Sequence, residues 1–104
     1  MIPHGVFGNP RIEAAKGKVA VMRGPVIYCM EEIDNRDYFN ETDEPYIYFR
    51  ELRDEFDKNL LGGVVTLKSK AFTSTNRTLQ VTYVPYYSWA NRDEGKMTVW
   101  APYK

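Results

Sequence analysis

Apolar and polar side chains alternate with a period of two along much of this chain, the spacing of strands with one buried face. Lys18-Val19-Ala20-Val21-Met22-Arg23 carries the pattern, Gly24-Pro25 interrupts it, and Val26-Ile27-Tyr28-Cys29-Met30 resumes as a nearly continuous apolar run. Because proline cannot donate to a ladder, Gly-Pro inside a strand pattern implies a bulge or an edge, and residues 18–31 read as one long bent strand. Val64 to Phe72 is a second strand, Thr73 to Arg77 a turn, and Thr78 to Val84 the cleanest alternation in the chain. Pro85 breaks or bends the backbone, Tyr86-Tyr87-Ser88-Trp89 continues as an aromatic segment, and Lys96 to Trp100 closes the series after the turn at 91–95.

Two stretches are less regular. Residues 34–45 are polar and rich in turn formers, which predicts a long surface loop. Tyr46 to Phe49 reads as a short strand, while Phe49, Leu52, Phe56 and Leu60 are spaced so that either extended structure or one face of a short helix fits. Short strands separated by turns, with at most one short helix, predict an all-β fold, an antiparallel β-sandwich of jelly-roll or immunoglobulin-like type. With 104 residues and no linker or repeat, the chain reads as a single domain over residues 1–104. A chain of this size buries about 65% of its unfolded surface, enough for a core without disulfides or metal.

Composition narrows the function. Fourteen basic and fourteen acidic residues cancel, which disfavours nucleic acid as a partner because phosphate attraction supplies most non-specific affinity. No apolar run approaches the length needed to cross a bilayer, so no membrane partner is expected. One cysteine, Cys29, excludes an intrachain disulfide, and one histidine, His4, excludes most His/Cys metal sites. Cys29 lies among apolar neighbours and reads as a buried, inert thiol, and His4 as a surface or interdomain contact. Glu31-Glu32-Asp34 and Asp54-Glu55-Asp57 could supply an acid and a base for glycosyl transfer, but that chemistry needs two carboxyl groups facing each other across a cleft, and solvated surface charge is the plainer reading. The sequons at Asn40 and Asn76 carry no assignment.

Aromatic residues are abundant, at 14%, and Tyr83, Tyr86, Tyr87, Trp89, Trp100 and Tyr103 gather in the second half. Exposed in a flat row they would stack on sugar rings or on bases; buried, they would serve core or interdomain packing. Were 86–89 a strand, Tyr87 and Trp89 would share one face while Tyr86 and Ser88 shared the other.

The segments Asn9-Pro10-Arg11, Gly17 to Glu31, Leu60 to Leu67, Pro85 to Arg92 and Met97 to Trp100 together resemble, in order, the C-terminal β-sandwich region of glycoside hydrolase family 127, the β-L-arabinofuranosidase-like enzymes. The stretch 36–59 matches weakly. The resemblance implies a parent chain whose large α/α barrel carries a catalytic glutamate, a zinc-binding cysteine cluster and a cysteine nucleophile, none of which maps onto this sequence. Cys29 falls in the family's Gly-Pro-Val-Ile-Tyr-Cys strand and is not that nucleophile. It therefore implies a non-catalytic accessory domain of an enzyme acting on L-arabinofuranosides or related plant glycans, with no catalytic residue, cofactor or metal of its own. Its partner would be the barrel of the same parent chain or a second protomer. Arg23, Tyr28, Tyr87, Trp89, Asn91 and Arg92 are then expected to order strands or touch the partner. Through the parent, the compartment leans to the bacterial periplasm or the extracellular space. The alternative is a carbohydrate-binding module that stacks sugar on Tyr86, Tyr87, Trp89 or Trp100.

Overall fold

A computed structural model describes residues 3–7, 17–60, 62–88 and 95–103. The fold is all-β, as expected. Among the described residues, nine strands run in the order β1 (Pro3–Phe7), β2 (Lys18–Arg23), β3 (Val26–Glu31), β4 (Tyr46–Ile47), β5 (Arg53–Asp57), β6 (Val64–Phe72), β7 (Thr78–Pro85), β8 (Met97–Thr98) and β9 (Ala101–Pro102), with one short α-helix, α1 (Arg36–Phe39). Every strand pair is antiparallel, and the main path is β1-β2-β3-β7-β6-β4, with β5 on β6, β8 on β3 and β9 on β2. A parallel bridge from Ile47 to Tyr103 brings the β4 end beside the chain leaving β9, so the sheet curls back towards β2. The core lies inside this curl, where Val21, Tyr28 and Met30 meet Ile47, Leu67, Ala71, Val81, Tyr83 and Ala101. The radius of gyration, 13.0 Å, suits one compact body.

The predicted long strand over 18–31 is corrected to a hairpin. Arg23 pairs directly with Val26, leaving Gly24 and Pro25 as a two-residue loop, with Gly24 at a φ of 61°. A left-handed first position followed by proline, whose φ is fixed negative, is the pattern of a type II′ turn. Gly-Pro therefore reverses the chain here and does not merely bend it.

The 34–45 loop is corrected too, since it contains α1 and three buried residues, Asn35, Tyr38 and Pro45. Tyr38 enters the core, and Asn35, 2% exposed, takes the place of a missing strand residue. β3 pairs with β7 only at Tyr28–Pro85 and Cys29–Val84. Just beyond, the Thr82 N–H donates to Asn35 Oδ1 at 2.7 Å, and Asn35 Nδ2 donates to the carbonyls of Thr82 at 2.8 Å and Glu31 at 2.9 Å. Both hydrogen bonds that a strand neighbour would have offered Thr82 thus come from one amide, which also ties the Glu31 carbonyl of β3.

Residues 49–60 resolve into a 3-10 turn, Phe49–Glu51, followed by strand β5 and not by a longer helix. β1, unmarked in the sequence pattern, pairs with β2 along its whole length. Phe7, Phe49 and Tyr103 close that flank with ring centroids 4.9 to 5.3 Å apart, an arrangement that favours edge-on contact. The closing strand divides into β8 and β9, and Thr98 Oγ1 donates to the Trp100 carbonyl at 2.7 Å across the break.

Candidate functional site

The residues singled out from the sequence separate into core, rim and surface. Tyr28 and Tyr83 are core residues. The Tyr28 hydroxyl donates to the Val65 carbonyl at 2.8 Å, and burial raises its pKa against the opposing pull of the nearby Arg23. Burial also pushes the Tyr83 and Tyr38 hydroxyls far above the ordinary phenol range. Arg23 stands by the hairpin turn and meets Asp54 of β5 at 3.4 Å, a half-exposed pair that joins two parts of the sheet. Trp89, Asn91 and Arg92 lie outside the described residues.

The segment after Pro85 departs from the strand reading. Tyr86–Ser88 form a 3-10 turn, so the two-face alternation does not apply. Both Tyr86, 45% exposed, and Tyr87, 70% exposed, face outward, where the strand reading had turned one of them in. Pro85, itself buried and the last residue of β7, ends the ladder and lets the chain turn.

Tyr86 and Trp100 come together in one shallow groove of about 490 Å³ with Ile27, Met97, Val99 and the stem of Lys18. Ile27, the second residue of β3, is 43% exposed. Its lining is mostly apolar, with Ile27, Met97 and Val99 beside the rings of Tyr86 and Trp100, and Lys18 and Thr98 add polar side chains. Such a surface suits a protein face, because a sugar ring needs hydrogen-bond partners around its rim as well as an apolar plane. Lys18 is tied at 3.4 Å to Glu44 and so adds little free charge.

Two other concavities differ in chemistry. One, of about 590 Å³, lies where β4 and β5 leave a gap along the same edge of β6, and Arg50, Arg53 and Lys70 rim it with Glu51. The other, of about 310 Å³, is lined by Tyr46, Tyr48, Phe72, Thr73, Ser74 and Asn76. Sequence reasoning passed over this last group, although Tyr46-Ile47-Tyr48 contained the signal. With Ile47 fully buried, period two sends Tyr46 and Tyr48 to the opposite face.

The acid and base candidates do not assemble. Glu31 is buried at the end of β3, where it pairs with Met97, whereas Asp54 lies on exposed β5 against Arg23. Neither lines any of the three concavities. Among the described residues no group of three or more His, Cys, Asp or Glu side chains could hold a metal ion, and Cys29 is buried.

The family described as glycoside hydrolase family 127 C-terminal domain matches residues 3–102. A non-reducing end β-L-arabinofuranosidase of Bifidobacterium longum subsp. longum is 34% identical over 112 aligned residues, covering 90% of this chain and 17% of the relative. The solved structure of a family 127 β-L-arabinofuranosidase from Geobacillus stearothermophilus T6 superposes with a TM-score of 0.79 at 32% identity, over 100% of this chain and 18% of that one. A second family 127 β-arabinofuranosidase gives a TM-score of 0.75 at 33% identity, over 100% of this chain and 17% of its own. The chain thus spans less than a fifth of the length of these relatives, and it belongs to glycoside hydrolase family 127 as its C-terminal domain.

Proposed function

We propose that this chain is a non-catalytic accessory domain of a glycoside hydrolase acting on L-arabinofuranosides or related plant glycans. The observation that carries the reading is the groove at Ile27, Tyr86, Met97, Val99 and Trp100. It is a mostly apolar groove in which Ile27 and Tyr86 are exposed. Grouped exposure of this kind marks an interaction surface. The occupant is the α/α barrel of the parent enzyme, because relatives carrying this domain are more than five times its length. In this arrangement the chain supplies a rigid β surface to the barrel, and bond cleavage takes place on residues of the barrel.

Glu31 and Asp54 line none of the three concavities described, which favours the non-catalytic reading, since acid and base catalysis needs two carboxyl groups across one cleft. The test is an assay of the purified 104-residue chain on an aryl β-L-arabinofuranoside. No turnover above buffer is expected, and Glu31→Gln and Asp54→Asn change nothing. Turnover that either substitution abolishes overturns the proposal. When the chain is joined to the parent barrel, Ile27→Asp with Tyr86→Asp is expected to lower the thermal stability of the whole enzyme while leaving the isolated chain folded.

A further inference from the structure

The aromatic corner between β4 and the β6–β7 turn sets tyrosine and phenylalanine rings beside hydroxyl and amide side chains. Tyr46 and Phe72 are cross-strand partners, and the Tyr48 and Phe72 rings meet edge to face at 4.7 Å and 78°. Beside these rings runs the turn 73–77, built before any ligand arrives. The Thr73 N–H donates to the Arg77 carbonyl at 2.9 Å, the Asn76 N–H to the Thr73 carbonyl at 3.1 Å, and the Arg77 N–H to Thr73 Oγ1 at 3.0 Å. Asn76 holds a left-handed φ of 63°, a conformation asparagine tolerates better than most side chains. Ser74 and Asn76 are exposed on this turn, and Tyr46 is 45% exposed on β4.

We propose that this corner binds one neutral sugar unit of a glycan, with the ring's C–H face against the tyrosines and its hydroxyls on Ser74 and Asn76. Three features favour that ligand. The lining contains no charged side chain, which argues against an anion. Aromatic rings next to hydroxyl and amide groups match a ring that has an apolar face and a polar rim. The volume of about 310 Å³ suits a single sugar unit better than a protein segment. A turn fixed by its own hydrogen bonds also lowers the entropy lost on binding. The choice of a glycan rests on the accessory-domain reading; the place does not, and it differs from the Tyr86 and Trp100 groove.

The experiment is a nuclear magnetic resonance titration of the 104-residue chain with a β-L-arabinofuranosyl disaccharide and, separately, with cellobiose. Concentrations run to about 10 mM, where even a millimolar site is mostly filled. Amide shifts are expected at 46–48 and 72–77 with at least one of the two sugars. Tyr46→Ala should weaken binding about tenfold or more, the factor produced by ~1.4 kcal/mol, while Tyr46→Phe keeps most of it. Asn76→Gly, which removes the amide and suits the left-handed backbone, should weaken it by roughly three- to tenfold, as expected for one hydrogen bond. Because both positions are exposed, these variants should fold. No shifts with either sugar, shifts confined to 27, 86 and 97–100, or binding unaffected by Tyr46→Ala would overturn the proposal. Such a failure leaves the arabinofuranoside assay untouched, so the two readings fail separately.

Discussion

Replacing Asn35 with alanine tests the claim that a side-chain amide substitutes for a strand. The substitution removes the hydrogen bonds at 2.7, 2.8 and 2.9 Å that satisfy the Thr82 N–H, the Thr82 carbonyl and the Glu31 carbonyl. Water has little access at a residue 2% exposed. Each bond is worth about 1 to 1.5 kcal/mol net, and stranded buried partners push the cost to the upper end. A loss of about 3 to 4 kcal/mol is therefore expected, a large part of the ~5 to 15 kcal/mol that holds a domain together. At about 4 °C or more per kcal/mol for a domain near this size, the melting temperature should fall by at least ~12 °C. Urea unfolding followed by circular dichroism gives the free energy, and amide exchange at Thr82 shows whether the edge opens locally. Asn35→Asp is the informative companion. It keeps the acceptor for the Thr82 N–H but turns a charged oxygen towards two carbonyls, so it should be at least as damaging at neutral pH and partly recover in acid. A loss below about 1 kcal/mol for Asn35→Ala, with Thr82 exchange unchanged, would refute the argument, since three bonds of this class cannot sum to so little.

Other expectations follow from the same contacts. The Tyr38 and Tyr83 hydroxyls have no hydrogen-bond partner among the described residues, so Tyr38→Phe and Tyr83→Phe should leave stability unchanged or raise it by up to ~1 kcal/mol in urea titrations. Tyr28, Tyr38 and Tyr83 have raised pKa values in the folded state relative to the ordinary 10.0. The unfolded chain thus loses these protons first. Their contribution is complete below pH 10 and declines above it, so alkaline unfolding should coincide with the tyrosinate absorbance of these three residues. Gly63 has a φ of 115° and an added Cβ would come within 2.9 Å of the Phe56 ring. Gly63→Ala should cost about 1 to 3 kcal/mol, and Phe56→Ala should relieve only the contact part in a double-mutant cycle. Arg23→Ala should cost about 1 kcal/mol or less in chemical denaturation, because its pair with Asp54 is half exposed.

The parts of the fold legible in the sequence are those where burial alone decides the structure. β6 runs from Val64 to Phe72 and β7 begins at Thr78, as the alternation indicates, because these strands face the core along their length. Elements governed by single contacts were not legible. Gly24-Pro25 is compatible with a bulge or a reversal, and pairing between Arg23 and Val26 decides for the reversal. α1 is one turn long, too short for helical periodicity, and is held by Tyr38 and Asn35. At Tyr86-Tyr87 the strand period does not continue, because Pro85 ends the ladder and a 3-10 turn follows. The family resemblance rested on the motifs around β3, β6 and the C-terminal strands. The aromatic corner escaped because its residues come from two distant segments, joined only by the register between Tyr46 and Phe72.

The accessory role is tested most directly by amide exchange on this chain alone and joined to the barrel of its parent enzyme. The account predicts that amides around Ile27, Tyr86 and Met97 to Trp100 exchange readily in the isolated chain and become protected in the joined enzyme, with the remaining strands unchanged. Equal exchange at this groove in both states, or new protection confined to another face, would contradict it.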